Sequence, residues 1–363
     1  MGKKKGKGKK GKKKKKGAVG PDTAVFLDHY RYACQVLGHP VDKEFENDTM
    51  EKLAEGQQLS KIHFGEKDLN PLGMRCVVEG LMGTMLPIGF SKDDEGGMSG
   101  ESFLNVEEIQ IWKSNVGDDG LASIAKMCRT VLDKSFRLTV LDLMDNNIGE
   151  RGCAWMGQAL AEGGNRSLRK LSLDHNPGIG DAGCRALSEG LRSNETLEIL
   201  GLEFCGVGPS GARSIAQVIY QRTTKLKTVR LMGNKIQRQG FVNLAMGLKR
   251  NATVEVLDIG DNEIGEYPPT DTDRLALENV IDCLEGNATL KGLNLDLNFI
   301  GSSGFDLLDE QHRKRMRPVL TRSLVYAAGM APETVEGAGG PADGGGGGGK
   351  KKKKGKGKKK KKK

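Results

Sequence analysis

Leu168-Arg-Lys-Leu171-Ser-Leu173-Asp-His-Asn176-Pro-Gly-Ile179-Gly180, continuing through Asp181-Ala-Gly183-Cys-Arg-Ala-Leu187-Ser-Glu-Gly-Leu191 to Asn194-Glu-Thr196, is the stretch that decides the fold. Most of the chain repeats it. Aligned copies are Leu138/Leu141/Leu143/Asn146/Ile148, Leu168/Leu171/Leu173/Asn176/Ile179, Leu197/Leu200/Leu202/Cys205/Val207, Leu226/Val229/Leu231/Asn234/Ile236, Val254/Leu257/Ile259/Asn262/Ile264 and Leu290/Leu293/Leu295/Asn298/Ile300. Their starts step by 30, 29, 29, 28 and 36 residues, a spacing that only an array of like units explains. Two looser copies precede them, Leu59/Ile62/Phe64/Leu69 and Val106/Ile109/Ile111/Ser114/Val116, for about eight in all.

Each position has a physical reading. The alternating apolar residues form a short strand with one face buried. Asn or Cys is small and bonds the turning backbone after the strand. Gly149, Gly180, Gly208, Gly265 and Gly301 stand where the chain turns towards a helix and are expected to use glycine's conformational freedom. One unit cannot bury its own apolar face, so the units must stack.

The pattern L-x-x-L-x-L-x-x-N/C-x-L, with a long unit and N-x-[ST]-L between helix and next strand, resembles the ribonuclease-inhibitor-like leucine-rich repeat proteins. The resemblance implies an α/β solenoid, a horseshoe with parallel strands on its concave face and helices on its convex face. It implies binding rather than a particular chemistry, because the class includes enzyme inhibitors, GTPase-activating proteins and axonemal or nucleolar scaffolds.

The expected organisation is a disordered Lys/Gly tail over 1–20, a helical N-terminal cap over 21–57 and repeats over 58–301. A C-terminal capping helix over 302–327 and a Gly-rich linker with a Lys tail over 328–363 complete it. Insertions at 87–102 and 266–273 lengthen two repeats.

The net charge of +10 conceals two opposite parts. Residues 3–16 hold 11 Lys and 350–363 hold 12; without these the body carries 34 basic against 47 acidic residues, about −13. Lys3, Lys4, Lys5, Lys12, Lys13 and Lys14, with Lys350, Lys351, Lys352, Lys361, Lys362 and Lys363, represent the expected polyanion-binding tails. They lack the aromatic and Arg groups that read bases, so they suit sequence-blind attraction to tubulin tails or RNA.

Nothing in the sequence forms a catalytic constellation, and an enzyme is not expected. Seven Cys without a C-x-x-C pair argue against a disulfide framework or a metal site. No cofactor, small-molecule substrate, signal peptide or membrane span is expected. The triplets at Asn165, Asn194, Asn251 and Asn287 recur at one place in the repeat and read as helix-exit turns, not glycan acceptors.

The outward strand positions give the expected partner site. Asp142, Asp145, Asp174, Glu203, Asp258, Asp261 and Asp296 would make the concave face acidic, with Arg230 among them and Trp112, Met144, Phe204 and Met232 as apolar anchors. A basic, partly helical protein segment is the expected occupant. Gly/Lys tails on such a solenoid resemble axonemal leucine-rich repeat proteins, which implies an adaptor in the ciliary axoneme. A nucleolar or nuclear RNA-associated adaptor stays open, as does a cytosolic enzyme inhibitor or GTPase regulator.

Overall fold

The computed structural model describes residues 23–85, 103, 105–130, 137–161, 163–221, 223–265, 287–300 and a few positions between 278 and 284. The chain divides into Met1–Ser323 and Leu324–Lys363, and every described residue belongs to the first unit. Both Lys runs, the 87–102 and 266–273 insertions, the 302–327 cap and the 328–349 linker lie outside the described residues.

Two helices open the fold, α1 (Thr23–Leu37) and α2 (Lys43–Ala54). Strand and helix then alternate: β1 (Lys61–Gly65), α3 (Asn70–Met82), β2 (Glu108–Trp112), α4 (Gly117–Thr130), β3 (Val140–Asp142), α5 (Glu150–Leu160), β4 (Lys170–Ser172) and α6 (Gly180–Leu191). The series continues with β5 (Ile199–Gly201), α7 (Pro209–Tyr220), β6 (Thr228–Arg230), α8 (Gln237–Leu248), β7 (Val256–Asp258) and β8 (Gly292–Asn294). The strands form one open parallel sheet in chain order, each neighbour the next in sequence. Parallel neighbours need a crossover, and from β1 to β7 the helices α3 to α8 supply it. The result is an α/β solenoid.

The repeat leucines are the core: Leu138, Leu168, Leu197 and Leu226 at the strand starts are buried, as are Leu141, Leu171, Leu200 and Val229 within the strands. Cys153, Cys184 and Ala212 fill one slot on successive helices and are fully buried, so the thiols there act as small apolar groups. Burial pushes the Cys128 and Cys153 thiols up to about 12.

A ladder of asparagines joins the turns. Asn146 donates from Nδ2 to Ile111 O (2.7 Å) and Met144 O (2.9 Å), while its Oδ1 accepts from Ser114 N (3.1 Å) and Val116 N (3.4 Å). Asn176, Asn234, Asn262 and Asn298 repeat the arrangement one unit on each time. Cys205 covers the donor half only, its Sγ lying 3.1 Å from Leu173 O. A second ladder runs at the helix exits, where buried Asn194 reaches Leu160 O (3.0 Å), Asn251 reaches Ile219 O (2.7 Å) and Asn287 reaches Leu248 O (2.7 Å). Their Oδ1 atoms accept from the following backbone, so these asparagines are structural turns enclosed by protein.

The helix-start glycines differ from expectation. Gly180 has φ +51°, but Gly149 and Gly208 are extended, with φ −128° and −98°. Their amides instead receive the Asp of the previous helix: Gly149 N donates to Asp118 Oδ1 (2.6 Å) and Gly208 N to Asp181 Oδ1 (2.7 Å). At Gly265 a side chain would stand 2.5 Å from the Phe299 carbonyl oxygen, so close backbone approach is the reason for glycine there. Gly301 lies outside the described residues.

The sheet's first edge is closed by an aromatic cluster. Phe45 of α2 packs on Tyr30 of α1 (centroids 5.5 Å apart) and on Phe64 of β1 (4.7 Å). Asp42 caps α2 by accepting from Phe45 N (2.8 Å), and Arg31 Nε lies 2.6 Å from Glu46 Oε1. Thr23 Oγ1 accepts from Leu59 N (3.1 Å) and ties α1 to the first repeat. Among the described residues no helix is long and apolar enough to cross a membrane.

Candidate protein-binding face

Strand register places His63, Gln110, Asp142, Ser172, Gly201, Arg230, Asp258 and Asn294 in one row across the sheet. These alternate with the buried leucines, as period-2 geometry requires. The burial along the row was not expected.

Asp174 and Asp258 are 5% and 1% exposed, so they do not form an open acidic surface. For Asp174 the partner is Arg230. Its Nη2 lies 2.7 Å from Asp174 Oδ2, and its Nε lies 3.5 Å from Glu203 Oε1, an ion-pair distance without hydrogen-bond geometry. Arg230 is on β6 and Asp174 follows β4; the strand between them carries Gly201. A side chain at Gly201 would stand 2.7 Å from Asp174 Oδ1 and 2.9 Å from Arg230 Nη2. The missing Cβ therefore opens the gap through which the pair meets. Ser172 Oγ (2.7 Å, to Oδ2) and Glu203 N (2.8 Å, to Oδ1) also donate to Asp174. Asp258 accepts from Asn294 Nδ2 (2.8 Å) and Gly260 N (3.1 Å), and Asp142 pairs with Lys170 at 3.1 Å.

Acid still outweighs base at this centre. Burial, then the nearby Asp174 carboxylate, pushes the Glu203 carboxyl up to about 7, with Asp258 and Asp142 adding to the rise and Arg230 opposing it. Burial also raises Asp258. Asp145 and Asp261 are exposed, and Asp296 is half-buried.

Of the expected anchors, Trp112, Met144 and Met232 are half-buried and Phe204 is 38% exposed. Trp112 stands edge-on to His63 (4.2 Å) and lies over Gly65, where a Cβ would meet the indole at 2.6 Å. Phe204 stacks on His175 (4.7 Å, 16° between planes), and its ring fills the space a side chain on Gly233 would need.

Sequence reasoning missed a backbone feature of this face. Glu66, Lys113, Asp145, His175, Phe204, Gly233, Asp261 and Leu297, one per repeat just before the Asn position, all have φ between +48° and +71°. Their amides up to Asp261 donate to the next repeat, as Phe204 N does to Met232 O (2.9 Å). The ladder holds bulky side chains in a conformation that disfavours them. Leu297 and Phe299, also left-handed, are 67% and 59% exposed.

Two further groupings were invisible in the sequence. On the helix side, Leu72, Arg75, Glu79, Lys126 and Trp155 line a recess of about 760 Å³, with Trp155 44% exposed. In the N-terminal cap, the sulfur atoms of Cys34 and Cys76 and a ring nitrogen of His39 all lie within 4.8 Å of one another.

The family profile described as "Leucine Rich repeat" matches residues 134–154, 164–188, 193–216 and 250–266. Ribonuclease inhibitor of Sus scrofa is 25% identical over 258 residues, 68% of this chain and 53% of that protein. Ribonuclease inhibitor of Mus musculus is 27% identical over 203 residues, 55% of this chain and 41% of that protein. Its repeats are leucine-rich repeats, similar to those of the ribonuclease inhibitors. The chain spans about half the length of these relatives, or less. Among solved structures, the tropomodulin C-terminal domain of Caenorhabditis elegans aligns with 46% of this chain and 92% of its own, at 13% identity and a TM-score of 0.37, a likeness that carries no functional information. Leucine-rich repeat proteins serve as protein-interaction scaffolds, and the two mammalian relatives are ribonuclease inhibitors.

Proposed function

We propose that the concave face grips a basic segment of a partner protein, with Phe204 as the central anchor. The observation that carries this reading is the Phe204–His175 stack: a large aromatic group held exposed, at φ +53°, beside an Arg230 site whose carboxylates outnumber its cations. Exposed aromatics ringed by charge are what interfaces use as hot spots. Asp145 and Asp261 supply the acidic rim, and half-buried Trp112, Met144 and Met232 extend the apolar floor. Recovery of bound protein from a lysate by the full chain, compared with a Trp112→Ala/Phe204→Ala double variant, tests this. Lost recovery supports the face; unchanged recovery refutes it.

Within that reading, the chain is an adaptor of the ciliary axoneme whose Lys runs hold the acidic tails of tubulin. Support comes from the separation of 23 Lys into two terminal runs around an acidic body. Co-sedimentation with microtubules, lost when the tubulin tails are trimmed by protease and falling steeply with salt, is the expected result. Tight RNA retention without microtubule binding favours the nuclear adaptor instead. The likeness to ribonuclease inhibitors motivates a third measurement: the adaptor reading predicts no inhibition when the chain is added to a ribonuclease assay.

A further inference from the structure

We propose that Cys34, His39 and Cys76 bind one thiophilic divalent metal ion, zinc in the first instance, fastening the N-terminal cap to the first repeat. Three separate pieces of chain supply the donors: the last turns of α1, the turn after it, and the middle of α3. In a tetrahedral zinc site with Zn–S of about 2.3 Å and Zn–N of about 2.0–2.1 Å, ligand atoms stand roughly 3.3–3.8 Å apart. The present set, all within 4.8 Å, closes onto such an ion with side-chain shifts on the order of 1 Å.

The surroundings position the histidine for this. Gly38, at φ +69°, reverses the chain, and His39 N donates back to Cys34 O (2.9 Å). The Cε1–Nε2 edge of the imidazole lies against α3 at Gly73, where a Cβ would stand 2.8 Å from both atoms; Gly73 is one turn before Cys76. Asn70 Oδ1 caps the helix through Leu72 N (2.9 Å) and Gly73 N (3.2 Å), and its amide nitrogen stands 3.5 Å from His39 Nε2; coordination through Nδ1 places the ring proton on Nε2, so this last contact gives way when the metal binds.

A second observation points to a ligand. His39 Nδ1 is shielded from water and has no hydrogen-bond partner among the described residues. A buried ring nitrogen left in that state is unfavourable, and a coordinated ion removes the deficit. Among the described residues no other group of three such donors gathers this closely.

Two thiolates and a neutral imidazole balance the charge of a divalent ion. Two thiol protons pass to the buffer as the metal–sulfur bonds form, and nothing is oxidised or reduced. One position stays for water, as in other three-ligand sites.

The test uses the untagged full-length chain, reduced and free of chelator, with Co²⁺ as the probe and Zn²⁺ as the competitor. The expected result is a thiolate-to-cobalt absorption band saturating at one ion per chain and displaced by Zn²⁺, with a Zn²⁺-dependent rise in melting temperature. Cys34→Ala/Cys76→Ala abolishes the band. His39→Gln, a change at a half-buried turn that leaves the far-ultraviolet circular dichroism intact, weakens binding by more than about a hundredfold, beyond the loss of an outer-shell partner. Cys153→Ala leaves stoichiometry and affinity unchanged. Absence of a thiolate band overturns the proposal, as does a band that survives Cys34→Ala/Cys76→Ala. A Cys34–Cys76 disulfide forming in air with no cobalt band makes the pair a redox couple and also overturns it.

Discussion

Replacing Glu203 with Gln should stabilise the fold at alkaline pH and weaken partner binding. Glu203 has a carboxyl raised to about 7 against an ordinary 4.5, in a side chain that is only 19% exposed. An acid raised on folding keeps its proton longer in the folded chain than in the unfolded one. Stability is therefore highest below pH 4.5, falls through the window up to pH 7, and stays low above it. At about 1.4 kcal/mol per pH unit the full loss is about 3 kcal/mol. Gln has the shape and polarity of the protonated acid and carries no charge, so it escapes the loss. Urea unfolding of both proteins at pH 5.5 and 8.0, followed by Trp fluorescence, reads the difference; Gln should gain about 2 kcal/mol relative to Glu between these values. Shared titrations cancel in the comparison. Parallel pH curves, within about 0.5 kcal/mol of each other, would show that Glu203 is solvated as well as an ordinary surface acid and would refute the description of this centre. The same variant should lose affinity for a basic partner, the trade expected where a site keeps a destabilising charge for binding.

Phe204→Gly relieves a left-handed aromatic residue but gives up its packing on His175, so stability should stay within about 1 kcal/mol of the parent while partner recovery drops. Asn146→Ala strands the amides of Ser114 and Val116 and the carbonyls of Ile111 and Met144; a loss of about 3 kcal/mol is expected, with hydrogen exchange rising first at the turns after β2 and β3. Gly190→Ala drives a methyl into the Gly157 carbonyl between α5 and α6 and should cost about 2–3 kcal/mol in thermal or urea unfolding.

The strands and the repeat core were legible because their causes are local. Alternation fixes which face is buried, and the spacing of the leucines fixes where each strand begins. Leu141, Leu171, Leu200 and Val229 therefore fall one above another in the register that their sequence alignment implies. The turn asparagines were legible for the same reason: each repeat needs one group that donates and accepts at the same corner, and Asn meets that need in a single side chain.

What the candidate site is made of was decided by tertiary structure. Asp174 and Arg230 are 56 residues apart, and they meet only because the intervening strand offers Gly201 at that height. Read as a column, the acids looked like an open surface; in the fold one guanidinium, two strands away, draws Asp174 inside and leaves Glu203 shielded. The exposed pose of Phe204 likewise follows from a left-handed backbone that the next repeat's carbonyl enforces. Cys34, His39 and Cys76 carry no spacing signal, since a turn and a helix crossing bring them together. Sequence periodicity reports what each residue's own neighbours impose on it. Which charges pair, and which donors converge, depends on distances across repeats that exist only after the units have stacked.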